Sequence, residues 1–399
     1  MANGIEEKPT VTVATATSPS DLAAVPQLIK ELADGVSSLE PGCNEARQAL
    51  AIKARTLMQA LETPRETMIK HCWAQPAVYA AILCGNECGL WKLMAKNGDK
   101  PQKVKELACA LGVDPVLLSR LLRHLGAMGY LLEVGEDEYK PTSFSLSLSL
   151  PIMNGGYPAL ITMGGPSFVN LHEYERTRGW KNPTDAKDSP LMHAHKTDLN
   201  YFALAQSRGY LEDFNNHMGG YRQGRLPWMA PGFVPVQEVL IEGADRSSPD
   251  AVFMVDVGGC LGHDLLEFHR YHPAAPGKLV VQDLPQVVGS IAPSEENRAL
   301  TAMPHNFFDE QPVQGGPRRV KAAMRPGYSK LLINENVIPR TDAYWEMSAL
   351  DLVMLTQLSA QERTESDWYD LLERRCGLKI AKIWSGGRGV ESLIECELK

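Results

Sequence analysis

The stretch "AVFMVDVGGCLGHDLLEFHRYHP" constrains the fold more than any other part of the chain. Its first half is a continuous apolar run ending in Asp256 and a glycine turn, and its second half reads as a helix closed by Pro273. A strand covered on both faces reads as an unbroken apolar run, because neither set of side chains meets water. "KLVVQDLP" repeats the pattern and ends in Asp283, and "KLLINENVIP", "LKIAKIW" and "ESLIECEL" supply three further strands. Strands alternating with helices predict a Rossmann-like, doubly wound α/β sheet over residues 246–399.

Within it, "VDVGGCLGHD" (Val255–Asp264) follows a strand and opens a helix. In that context glycines let the backbone approach a nucleotide. Gly258, Gly259 and Gly262 form the turn behind Asp256. About 20 residues on, Asp283 stands at the tip of the next strand, placed to accept hydrogen bonds from ribose hydroxyls. Loop and acidic strand end together point to an adenosine-containing ligand. A tight strand–helix turn without a ligand is the competing, weaker reading.

The segments before this domain are helical. Residues 1–20 are polar, lack the apolar core of a secretory signal, and read as a disordered leader. Residues 21–150 read as a helical and winged-helix domain, with Val25, Leu28, Ile29 and Leu32 at helical spacing. Val104–Leu111 and Pro115–Met128 are helices separated by a turn with Asp114 as N-cap, followed by a hairpin through Gly135-Glu136-Asp137. Arg120, Arg123 and His124 are the only basic residues of the second helix. With a net charge of −8 and pI near 5.7, a packing or dimerising module is expected rather than a DNA reader. Residues 151–245 form a loop-rich helical connector dense in Tyr, Phe, Trp, Met, Asn and His, suited to lining an organic-ligand pocket or to an ordinary core.

No apolar run approaches the ~20 residues that span a bilayer. The eight cysteines are scattered without paired CxxC spacing, and are expected as reduced, mostly buried thiols of a cytoplasmic protein.

"FMVDVGGCLGHDLLEFHRYHP", "KLVVQDLPQVV", "HNFFDEQPVQGG", "MRPGYSKLLINENVIP" and "LSAQERTESDWYDLLE" together resemble the ordered motifs of the S-adenosylmethionine (SAM)-dependent O-methyltransferases of the plant COMT type, in the flavour of fungal secondary-metabolite enzymes. The winged helix and "FNNHMGGYRQGRLPWMAPGF" fit the same family, so the likeness covers roughly residues 60–399. The resemblance implies a homodimer joined through the winged-helix domains, SAM as cofactor, and a hydroxyl of a small aromatic or polyketide metabolite as acceptor. From charge and apolar-run length, no nucleic-acid or membrane partner is expected, and no metal is expected either. The resemblance places SAM along Asp256, Gly258, Gly259 and Gly262, with Asp283 on the ribose and Asn306 where the family usually has an Asp near the adenine. Cys260 stands where a third glycine is common, which suits a side chain only if its φ is not positive. Glu335 and Glu362 match the two glutamates that frame the family's catalytic histidine.

That histidine has no counterpart. His263, His269 and His305 fall in the wrong places, and His193, His195 and His217 belong to the connector. Between "PVQGG" and "MRPGYSK" only "PRRVKAA" remains, a shortfall of about twenty residues, roughly one strand and two helical turns. The lost strand would neighbour the glycine-loop strand, leaving a hole in the sheet or forcing the next strand across. Either an exon has been skipped in the gene model, or the deletion is real and the chain is a non-methylating homologue, a pseudoenzyme or a pericyclase-like enzyme.

Overall fold

The computed structural model describes residues 11–40, 44–248, 250–292, 294–309, 311–313, 320–389 and 391–399. The first ten residues of the expected leader, Cys43 and the short join at 314–319 lie outside the described residues. Two compact units are present: the chain up to Gln223 together with Thr356–Ser359, and Gly224–Leu355 together with Ala360–Lys399.

In the first unit, Val13–Thr17 forms one exposed helical turn within the expected leader. Val25–Val36 is a helix on which Val25, Leu28 and Leu32 are half-buried and Ile29 is exposed. Helices Val104–Leu111 and Pro115–Ala127 follow the expected bounds closely. The reason is local: Oδ1 of Asp114 accepts from the backbone N–H of Val116 and of Leu117, both at 2.9 Å, and Pro115 occupies the first turn. Three short strands, β1 (Gln102–Lys103), β2 (Leu131–Gly135) and β3 (Glu138–Pro141), form an antiparallel sheet in the order β1–β3–β2. Leu118, Leu122 and Leu125 bury the helix face against Trp91 and Tyr139. Arg123 donates to Ser119 Oγ at 3.0 Å and His124 Nε2 lies 2.9 Å from the Ala74 carbonyl, so both are engaged within the unit.

The expectation of mostly buried cysteines is overturned. Cys72, Cys84, Cys109, Cys260 and Cys376 are exposed, Cys88 is half-buried, and among the described residues only Cys396 is buried. Helical phase explains Cys84: its helix buries Val78, Ala81, Ile82 and Gly85, and Cys84 falls off that face. All seven described cysteines are free thiols.

In the second unit, β4 (Val252–Val257), β5 (Lys278–Asp283) and β6 (Leu300–Pro304) are parallel, in the order β4–β5–β6. Helix His263–Tyr271 buries Leu265, Leu266 and Phe268, and Phe268 stacks on Trp228 with ring centroids 5.8 Å apart. The later strands are β7 (Leu331–Glu335), β8 (Val337–Ile338), β9 (Arg363–Thr364), β10 (Leu378–Ser385) and β11 (Ser392–Leu398). β7, β11 and β10 make an antiparallel sheet, and β8 pairs with β9 in parallel.

Among the described residues, β4 is paired only with β5, and β7 only with β11. Among the described residues these strands therefore stand in two three-stranded sheets, and β7 has not moved across to β4. Burial agrees: Val252–Asp256 of β4 are half-buried and Val257 exposed, whereas Leu279–Gln282 of β5 are buried. The prediction of an apolar strand at β4 is met, but its covering on both faces is not. An open edge leaves N–H and C=O groups facing outward, which is tolerable only with access to water.

Candidate active site

The glycine loop, Asp283 and Asn306 meet at the carboxyl ends of β4, β5 and β6, where ligands of open α/β sheets bind. The N–H groups of Gly258 and Gly259 donate to the Gln282 carbonyl at 2.8 and 3.1 Å, which folds the loop over β5. A Cβ at Gly259 would stand 2.5 Å from Oδ2 of Asp256, so that carboxylate lies directly beneath the loop. Gly262, at φ +79°, starts the following helix, and a Cβ there would meet Leu300 at 2.5 Å. Both glycines are required by these close approaches.

Cys260 contradicts its sequence-based condition. Its φ is +54°, in the left-handed region that disfavours a side chain. The loop holds this conformation because the Cys260 N–H donates to Oδ2 of Asp283 at 2.9 Å. Although Cys260 is exposed, desolvation by the surrounding loop raises the pKa of its thiol, and the nearby charges of Asp283 and Asp256 add to it, which disfavours the thiolate.

Asp283 accepts a second backbone N–H, from Leu284, at 2.7 Å on Oδ1. A carboxylate offers about four acceptor positions, so each oxygen keeps capacity for a hydroxyl. The His305 N–H donates to the Asp283 carbonyl at 2.8 Å, tying the end of β6 beside it. Asn306 then turns inward on its own loop: Oδ1 accepts from the Phe308 N–H at 3.1 Å, and its carbonyl from Asp309 at 2.8 Å.

Glu335 and Glu362 form a second cluster, brought together by the short β8–β9 pairing. Val337 is in register with Arg363, so Asn336 and Glu362, one residue before each, lie side by side. The Asn336 side chain hydrogen-bonds to Glu362, and the Glu335 carboxylate accepts the Asn336 N–H at 3.3 Å. Desolvation pushes the Glu362 carboxyl up to about 7, with repulsion from Glu335 and Asp351 adding to it. Glu335 is raised mainly by desolvation and by repulsion from Glu391, although its residue is exposed in surface terms.

Sequence reasoning passed over Asn336, which is 5 % exposed and whose carbonyl accepts Trp368 Nε1 at 3.1 Å. Its position beside Glu335 in "INENVIP" was the available signal. Arg225 was missed as well: it bridges Glu391 at 2.6 Å and Glu346 at 2.5 Å, partners 166 and 121 residues away. Of the connector histidines, His195 is structural, with Nε2 2.7 Å from the Met163 carbonyl and Nδ1 3.1 Å from Arg208. His193 borders a cleft of about 530 Å³ that carries none of the candidate cofactor or catalytic residues. Burial lowers the pKa of His217 and keeps it neutral. No cluster of His, Cys, Asp and Glu among the described residues could hold a metal ion, and no helix there is long and apolar enough to cross a membrane.

No protein-family model matches the chain. The chain is 34% identical to the O-methyltransferase mpaG of Penicillium brevicompactum over 398 aligned residues, 94% of this chain and 99% of that relative. Among solved structures it is similar to LepI in complex with SAM, at 25% identity and a TM-score of 0.80, covering 94% of this chain and 98% of that one. It is also similar to a structure described as a pericyclic reaction enzyme, at 25% identity and a TM-score of 0.78, covering 94% and 99%. The extent of these matches and the arrangement at the ends of β4 to β6 agree: the chain belongs to the fungal SAM-dependent O-methyltransferases.

Proposed function

We propose that this chain binds SAM on the Gly258–Gly262 loop and methylates a hydroxyl, phenolic in character, of a small secondary metabolite such as a polyketide. The observation that carries the reading is the seating of the glycine loop on Asp283, with a carboxylate at each of two adjacent strand ends. Asp256, Gly258, Gly259 and Gly262 would hold the amino-acid end of SAM, Asp283 the ribose, and Asn306 the adenine side. SAM supplies an electrophilic methyl group. The protein must position the acceptor and remove its proton. With the family's histidine absent from the sequence, the Glu335–Asn336–Glu362 cluster is the acid–base equipment of this unit. Glu362, with its carboxyl near 7, can hold or release a proton at neutral pH. The helix–helix–hairpin module is proposed as a winged helix joining two copies into a homodimer. Calorimetry with SAM, followed by transfer of labelled methyl to simple phenols, tests the reading; absence of SAM binding overturns it.

A second reading rests on one observation, the interrupted sheet between β4 and β7. The absent strand is where the histidine would stand, and mpaG aligns over more positions than 94% of this chain can supply. On this reading the protein binds SAM without transferring methyl, and its pocket steers a reaction by shape and electrostatics. SAM binding with no methyl transfer across a phenol panel selects it.

A further inference from the structure

Asn336 stands immediately before β8, between Glu335 and Val337, and is buried. Its setting is apolar: Trp368, Ile380 and Ile394 form a buried cluster onto which Ile333 and Val337 pack. A buried amide costs free energy unless its hydrogen bonds are made, and an apolar residue would avoid that cost. The polar side chain therefore calls for a reason, and its partners supply one.

The Asn336 backbone is fixed from both sides. Its N–H donates to the Glu335 carboxylate at 3.3 Å, and its carbonyl accepts Trp368 Nε1 at 3.1 Å. Trp368 is itself buried, so that carbonyl is held by a packed ring. The side chain is then aimed across the β8–β9 pair at Glu362, to whose carboxylate it donates. Glu362 is anchored from its other end, because its N–H donates to Oδ1 of Asp351 at 2.8 Å. Glu362 is half-buried and Glu335 exposed, so both carboxyls keep a surface that Asn336 lacks.

We propose that Asn336 is a positioning residue: its side-chain amide aims the Glu362 carboxylate, beside Glu335, at the hydroxyl whose proton is to be taken. This rests on the reading of the chain as an O-methyltransferase and adds the residue that orients its base. Asn336 acts through Glu362 and needs no contact with SAM or acceptor.

The charges facing Glu362 show what the donor does. Desolvation raises its carboxyl most, followed by repulsion from Glu335 on β7 and Asp351 on helix Trp345–Leu358. Asn336 opposes them first, and Arg363 of β9 second. Arg363 is shared, since it also favours the charged form of Glu335, which Glu391 in turn repels. Without the amide, Glu362 keeps its proton to higher pH and loses one restraint on its direction.

The test compares wild type with Asn336→Leu, which removes the donor at similar size, and with Asn336→Val, which suits a strand-edge position and also lacks a donor. Carbon-13 NMR of glutamate-labelled protein titrates the Glu362 carboxyl directly, its signal assigned by its loss in Glu362→Gln. In both variants the midpoint should rise by about one pH unit. The acidic limb of kcat/KM for methyl transfer to a phenol should move up with it, while SAM affinity stays unchanged. A fall in melting temperature with the Glu362 midpoint unmoved would show a merely structural asparagine and overturns the inference. If wild type methylates no phenol, the O-methyltransferase reading fails separately. The titration still decides whether Asn336 holds Glu362: a risen midpoint supports it, an unmoved one overturns it.

Discussion

The Cys260 N–H donates to Oδ2 of Asp283 at 2.9 Å, joining two residues 23 apart and closing the glycine loop onto the tip of β5. One carboxylate thereby shapes the loop and presents the acceptor oxygens that ribose hydroxyls would use. Asp283→Ala removes both functions, and SAM affinity should fall by one to two orders of magnitude, about 1.4–2.8 kcal/mol. Asp283→Asn keeps one acceptor oxygen and should fall less. Isothermal titration of SAM into the two variants checks the order; equal affinity to wild type in Asp283→Ala would remove Asp283 from the site.

Cys260 adopts φ +54° with a side chain attached. A left-handed non-glycine residue is disfavoured by about 1–2 kcal/mol, and glycine returns part of that through its flexible unfolded state. Cys260→Gly should therefore be neutral to stabilising by about 1 kcal/mol in chemical denaturation. Cys260→Val, branched at Cβ, should be destabilising. A clear loss of stability in the glycine variant would show that the thiol has a packing role outweighing the strain.

Glu362 supplies a pH signature. Its carboxyl is raised from 4.5 to about 7 in the fold, so the folded protein binds more protons than the unfolded chain between those values. Stability associated with this group is present below pH 4.5 and is lost as pH rises through about 7. Glu362→Gln should thus match wild type near pH 4.5 and exceed it by about 1–2 kcal/mol at pH 8, after discounting for partial exposure. Denaturation at the two pH values reads the difference. A gain of the same size at both would mean that burial of charge is not its source.

Arg225 is held by Glu391 and Glu346, with Arg225 and Glu391 side chains only 16% and 8% exposed. Removing one member strands buried charge, so Arg225→Met should cost about 3–5 kcal/mol. Adding Glu391→Gln to Arg225→Met should recover part of the loss, a coupling readable in a double-mutant cycle. Strict additivity would place the two residues in separate networks.

Gln282 and Gln311 exchange two amide hydrogen bonds, both 2.7 Å, while buried. Gln282→Leu leaves Gln311 Nε2 without its acceptor, while Gln311 Oε1 keeps the Val313 N–H at 3.2 Å, and should destabilise by about 1–3 kcal/mol; the double leucine variant should be closer to wild type. Urea unfolding of wild type and the two variants checks the asymmetry.

The sequence alone determined what depends on neighbours along the chain. Asp114 and Pro115 cap their helix in place, and the apolar runs ending in Asp256 and Asp283 became β4 and β5, because caps and strand patterns are local. The position of Glu362 beside Glu335 was legible only through the family motif, since nothing within either segment specifies the β8–β9 pairing that joins them. Only the tertiary structure decided the rest. The positive φ of Cys260 follows from a hydrogen bond to a residue on another strand. The exposure of most described cysteines follows from which helix faces found partners. The bridging of Arg225 to Glu391 and Glu346 joins parts of the chain far apart in sequence. The interruption between β4 and β7 belongs to the same class: the sequence showed too few residues, but whether the sheet would close or stay divided depended on strand pairing across the unit, and that pairing left both edges open.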